Sequence, residues 1–173
     1  MRSVGSLRAV RGAACAVAAV AAAGLLTGCT VPGTGAAGVS VDASGKPVAL
    51  LAVCGHHIDG ATLYRTNPDE STSDEAHWTA DDPLGPGVVS WPLNGDVPGW
   101  TVDYYLTGLR PGVTYTLYGW TKDNSWSAEA VDFTLADLAD LTPGRVRFFD
   151  IYKGDGGSTA TVAAADFYKR SCP

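Results

Sequence analysis

From Pro47 onward, short runs rich in Val, Thr, Tyr and Trp alternate with clusters of Gly, Pro, Asn and Asp. That rhythm constrains the fold more than any other feature, because each apolar run ends before a helix of useful length can form. Val48 to Cys54 is apolar at every position but its last, so both faces of that strand are expected to be buried. Trp100-x-Val102-x-Tyr104-x-Leu106 alternates with Thr101, Asp103, Tyr105 and Thr107, the period of a half-buried strand. Trp91, Trp100 and Tyr104 are accordingly expected in the core. Gly60 to Arg65 is a further short run. Ala76 to Thr79 and Val88 to Leu93 are separated by Asp81-Asp82-Pro83-Leu84-Gly85-Pro86-Gly87, which reads as a turn. Two hairpins are predicted. One joins 113–121 to 127–134 around Lys122-Asp123-Asn124-Ser125-Trp126, the other joins 145–152 to 158–168 around Lys153-Gly154-Asp155-Gly156-Gly157. Only Leu135 to Leu141 has the look of a helical turn, ended by Pro143-Gly144. About eight or nine short strands at this spacing predict an all-β sandwich.

The first 30 residues are different. Arg2, Arg8 and Arg11 precede an apolar run from Gly12 to Leu26, the charged and apolar regions of a secretory signal peptide. Leu26-Thr27-Gly28-Cys29 follows directly. This ending resembles the lipobox of bacterial lipoproteins. The resemblance implies cleavage before Cys29, a lipid on its thiol, and attachment to the extracytoplasmic face of the cell membrane. Several acyl chains at about 0.8 kcal/mol per buried CH₂ hold a protein far better than one. In its Ala, Gly, Val, Asp and Arg bias the chain is similar to small lipoproteins of high-GC Gram-positive bacteria.

Under that reading residues 1–28 are the signal, 29–46 the lipidated Cys and a tether, and 47–173 the folded domain. Thr30 to Lys46 is small, polar and Gly-rich, and as a coil it would span about 20–25 Å. The signal holds three of the 12 basic residues and none of the 18 acidic ones, so the remainder carries a net charge of −9. Such a surface disfavours nucleic acid and anionic headgroups. The membrane is thus expected to be met through the lipid. Cys15 would leave with the signal and Cys29 would be lipidated. Cys54 and Cys172 remain, and export favours a disulfide between them. The alternative use of Cys54 is a metal or redox site with His56 or His57.

Leu109-x-Pro111-Gly112-x-x-Tyr115 resembles the E–F corner of fibronectin type III and immunoglobulin-like domains. The resemblance implies that the Tyr115 hydroxyl pins the turn upstream of it. It implies fold and no activity. The sandwich would carry an extra C-terminal hairpin. Leu141-Thr142-Pro143-Gly144 echoes Leu109-Arg110-Pro111-Gly112, and Asp166-Phe167 echoes Asp132-Phe133. If the echo is a true repeat, the second of these is an alternative corner.

No Gly-x-Ser-x-Gly, His-x-x-x-His or Cys-x-x-Cys pattern occurs in the chain. No cofactor and no catalytic group is predicted. Asp123-Asn124 and Asp155-Gly156-Gly157 are turn chemistry. If Tyr115 and Leu117 face inward, Thr116, Tyr118 and Trp120 face outward, with Trp126 in the adjoining turn. A cluster of Tyr118, Trp120 and Trp126 would stack on sugar rings or on an apolar patch of a partner, unless the C-terminal hairpin covers it. The sequence therefore predicts a non-enzymatic module that binds an unidentified envelope or extracellular partner, a protein or a glycan, with a glycan or small-ligand binder using the aromatic face as the alternative and an envelope hydrolase as a remoter one.

Overall fold

The computed structural model describes residues 30–173. The signal segment and Cys29 lie outside them. Ten strands follow one another as β1 (Gly33–Val41), β2 (Pro47–Val53), β3 (Ile58–Thr66), β4 (Thr72–Leu84), β5 (Gly87–Pro92), β6 (Trp100–Tyr104), β7 (Tyr115–Trp120), β8 (Ser127–Phe133), β9 (Arg145–Asp150) and β10 (Ser158–Ala163). Two short helices, α1 (Leu135–Ala139) and α2 (Ala164–Ser171), are the other elements among the described residues. The fold is all-β.

The strands run in space as β10-β9-β1-β2-β5 on one side and β8-β7-β3-β4-β6 on the other. The first residues of β1 also pair in parallel with β8, so one curled sheet of ten strands closes over its own core. β1, β2 and β5 share one layer and β3, β7 and β8 the other, as A, B, E and C, F, G do in immunoglobulin-like sandwiches. The predicted corner is present. The Arg110 N–H donates to the Tyr115 hydroxyl oxygen at 2.9 Å, and the Tyr115 ring is buried beside Phe133. Gly112 sits at φ 73°, a left-handed conformation that costs glycine nothing.

The inner faces supply the core. Val39, Leu51, Leu63, Trp78, Trp91, Leu117 and Val131 are all essentially inaccessible. Trp91 lies edge-on to Trp78 at 5.7 Å and tilted against Trp100 at 4.7 Å. A second, smaller cluster covers the outer face of β1 and β2. There Leu50 and Ala52 meet Val146 and Phe148 of β9 and Phe167 of α2. This is why β2 is apolar on both faces. Cys54 and Cys172 form the expected disulfide, joining the end of β2 to the end of α2.

Five expectations are corrected. The predicted tether 29–46 is largely strand: Gly33–Val41 is β1, at the centre of its layer. Its small residues are there because both faces are occupied. A Cβ on Gly38 would sit 2.7 Å from Val146, and one on Gly35 would collide with the Ala52 carbonyl. The folded domain therefore begins near Gly33, not at Pro47. The turn predicted at 81–87 narrows to Gly85-Pro86, because β4 continues to Leu84. The last arm stops at Ala163 and continues as α2, whose Phe167 fills the pocket over Phe148 at 5.3 Å. Tyr104 is more than half exposed. One residue of β6 is bulged opposite the His77–Trp78 step, so Tyr104 pairs with His77 on the outer face. The proposed repeat also diverges, since Asp132-Phe133 closes a strand whereas Asp166-Phe167 lies in a helix. The corner is that of Tyr115. The helical turn at Leu135 is as predicted, started by a reciprocal Thr134–Asp137 capping box.

Candidate functional site

The outer face of the β8-β7-β3-β4-β6 layer is uncovered, because the β9–β10 hairpin and α2 lie with the opposite layer. Pairing register decides what stands on it. Tyr118 of β7, Thr62 of β3, His77 of β4 and Tyr104 of β6 form one cross-strand row. Trp120, Gly60, Thr79 and Thr101 form the next. Strand alternation then adds Tyr64 and Thr116 on the same side as Thr62 and Tyr118.

Gly60 shapes the centre of this face. Its missing side chain leaves a gap into which the Trp120 indole lies down. A Cβ there would collide with the Trp120 ring and approach the Trp78 carbonyl to 2.6 Å. Flattened against β3, the indole N–H donates to Thr62 Oγ1 at 2.9 Å, and the ring stacks against His77 with centroids 5.0 Å apart. His77 is held from its other side. Its Nδ1 lies 2.7 Å from Asp103 Oδ2, which also accepts from Thr79 Oγ1 at 3.1 Å. The hydrogen bond to His77, reinforced by that from Thr79, holds the Asp103 carboxyl below the usual carboxylate range against its partial desolvation. Trp120 is thus fixed by three neighbours before any ligand arrives.

Two open depressions meet over this surface. The larger, of about 480 Å³, is lined by Tyr64, Thr72, Asp74, Tyr118, Ser127 and Glu129 among others. The smaller, of about 430 Å³, is bounded by Thr62, Asp74, His77, Tyr118, Trp120 and Lys122. Tyr118 and Asp74 belong to both, so the two form one groove. Each half lies within the size range of small-ligand sites. Tyr64 meets Tyr118 edge-on at 5.9 Å, which presents the two rings at different angles along the groove. The rim at one end is the β7–β8 turn. Asp123 there accepts from the Ser125 hydroxyl at 2.6 Å and the Ser125 N–H at 3.0 Å, and these bonds pull its carboxyl down to about 2. Asn124 follows at φ 58°.

Of the predicted aromatic cluster, the structure brings Tyr118 and Trp120 together and separates Trp126. Trp126 instead stacks on His56 at 3.6 Å, outside the linings of both depressions. No family model matches this chain, and neither a curated protein nor a solved structure matches it.

The groove is equipped for recognition by stacking and hydrogen bonding. Its aromatic faces alternate with Thr hydroxyls, the carboxylates of Asp74 and Glu129, and the Lys122 ammonium. Two histidines lie against carboxylates, His77 with Nδ1 2.7 Å from Asp103 and His57 with Nε2 3.5 Å from Asp59. Among the described residues no group of three or more His, Cys, Asp or Glu side chains is gathered for a metal ion. Cys54 is used in the disulfide rather than beside His56. Sequence reasoning missed Tyr64, Asp74 and His77. Only Gly60-x-Thr62-x-Tyr64 carried a local signal, the alternation of a strand with a polar or aromatic outer face.

Proposed function

We propose that this protein is a lipid-anchored, non-enzymatic binding module of the cell envelope, held through Cys29 at the extracytoplasmic face, and that the groove over β7, β3 and β4 is its binding surface. The observation that carries the reading is the half-buried Tyr64–Tyr118–Trp120 surface along the groove, in which Gly60, Thr62 and His77 fix Trp120 and Tyr64 packs edge-on to Tyr118. A saccharide is the ligand class that fits best. Pyranose rings offer apolar C–H faces to aromatic rings and hydroxyls to Thr, Asp and Lys side chains, so both kinds of lining are used. The lipobox resemblance of Leu26-Thr27-Gly28-Cys29 supports the address, and the sandwich fold is compatible with it without implying it.

Titration calorimetry with soluble fragments of envelope polysaccharide tests the groove. Tyr118→Ala and Trp120→Ala each remove about 1.5–3 kcal/mol of apolar contact, a loss of about tenfold to a hundredfold in affinity. Trp126→Ala leaves affinity unchanged. Equal affinity for Tyr118→Ala and the parent protein refutes the groove. Intact-mass analysis of the membrane fraction tests the anchor, and an unmodified Cys29 refutes it.

A further inference from the structure

We infer that the end of the sandwich through which the chain enters is itself a membrane-contact surface, resting on the bilayer that receives the Cys29 lipid. This rests on the anchor reading above and adds a second, protein-mediated contact. β1 starts at Gly33, only four residues after Cys29. At about 3.3–3.6 Å per residue that linker reaches about 14 Å when fully extended. A thiol lipidated at headgroup level therefore keeps this end of the domain beside the headgroups.

Strand register identifies what else lies there. Gly33 pairs with Ser127, which places the 121–126 turn at this end. Gly35 pairs with Val53, which places the Cys54–His57 loop there. Val53 pairs with Gly87, bringing the β4–β5 turn and Val88. β9 runs antiparallel to β1, so it leaves the sheet at the same end, into Ile151 and Tyr152.

The exposed apolar side chains gather at this end. Seven large apolar or aromatic residues are exposed among the described residues, and four of them belong here: Val31, Val88, Ile151 and Tyr152. Of these four, Ile151 and Tyr152 are the most exposed, 47% and 58%, at the mouth of the hairpin loop. Tyr is a favoured side chain at membrane–water interfaces, and the neighbouring Lys153 is able to lie along the apolar surface with its ammonium in the headgroups. Lys122 and Lys153 are balanced by Asp123 and Asp155, and Arg170 in the last turn of α2 is paired with Asp150, so these groups supply no basic excess to draw the end to anionic lipid. The contact is accordingly apolar and insensitive to salt. It needs little intrinsic affinity, because the Cys29 lipid holds the domain at high effective concentration over the bilayer. With the strands rising from that end, the Tyr118–Trp120 groove stands on the flank, open to ligands approaching sideways.

Hydrogen exchange on the full protein in phosphatidylcholine vesicles tests this, with the soluble Cys29→Ser form mixed with the same vesicles as reference. Amides at 54–57, 121–126 and 150–157 are expected to exchange at least about fivefold more slowly in the acylated, vesicle-bound protein, with no change on adding salt. In the Ile151→Ser/Tyr152→Ser variant, which alters only exposed side chains, the protein remains bound through its lipid while the protection is lost. Acylated Cys29 without protection overturns the contact and leaves the anchor standing. Protection that survives in the double variant also overturns it. A mass showing Cys29 unmodified overturns both.

Discussion

Replacing Cys54 and Cys172 together by Ser separates what the disulfide does from what the packing of α2 does. The bridge spans 118 positions, nearly the whole domain. In the chain-entropy treatment, with an entropy of about −2.1 − 1.5R ln n cal/mol/K, a loop of that length raises the free energy of the unfolded chain by about 5 kcal/mol at 25 °C. A domain of this size has about 5–15 kcal/mol to lose. α2 has its own attachments in the folded state. Phe167 is completely buried against Phe148, and the Arg170 guanidinium donates to the buried Asp150 carboxylate at 2.7 Å. The helix should therefore stay docked without the bridge, and the destabilisation should be global. Urea unfolding followed by tryptophan fluorescence is expected to show a loss of about 3–5 kcal/mol, with the thermal midpoint falling by about 10–20 °C. Near-ultraviolet circular dichroism of the folded state should be unchanged. A double variant within about 1 kcal/mol of the parent refutes the loop-closure argument. A large loss with a clearly smaller urea dependence refutes the docking argument, because it means that α2 has already left the native state.

Gly60→Ala is expected to cost about 2 kcal/mol, from the lost Trp120–Thr62 hydrogen bond and the disturbed stack on His77, and to alter tryptophan emission; an unchanged spectrum and midpoint would show that Trp120 does not need the gap. Tyr115→Phe leaves the Arg110 N–H without its partner and should cost about 1 kcal/mol in urea unfolding, with a loss below a few tenths counting against the corner. Asp123 has a carboxyl lowered to about 2 by its bonds to Ser125, so its contribution to stability is complete above the ordinary value of 3.8 and disappears as pH falls through about 2. The gap in urea midpoint between the parent and Asp123→Ala should hold steady near neutrality and shrink in that acid range; a gap at pH 2 as large as at neutrality contradicts the assignment.

Local signals in the sequence carry what local chemistry determines. The corner is legible because Leu109, Pro111, Gly112 and Tyr115 lie within one turn of each other, and α1 is legible because Thr134 and Asp137 cap it reciprocally. β2 is legible because burial on both faces removes every polar residue from it. β1 is hidden for the opposite reason. Glycine and alanine fill it because neighbours occupy the space of its side chains, and composition alone reads that crowding as looseness. Tyr104 is misplaced because one bulged residue reverses the alternation, and no local pattern marks where the bulge falls. α2 is mistaken for strand because the Thr-x-Thr pattern of β10 runs straight into it, and the docking of Phe167 decides its form. Half of the groove shares this difficulty. Tyr118 and Trp120 are neighbours along β7, but Tyr64, Asp74 and His77 reach them only through the register of β3 and β4.

The position of β1 also sets how the domain carries load. A pull transmitted from the N-terminal side enters along the axis of β1, which is hydrogen-bonded to β2 over seven residue pairs, to β8 in parallel and to β9. Bonds on both sides of the strand must shear together, whereas an edge strand peels one pair at a time. At the other end of the chain the disulfide ties α2 back to β2, the neighbour of β1. Resistance to forced extension depends on the unfolding rate rather than on equilibrium stability, and this wiring places a strand gripped on both sides where tension enters. A flexible leader would have made a hinge; a central strand makes the entrance to the domain a mechanical clamp.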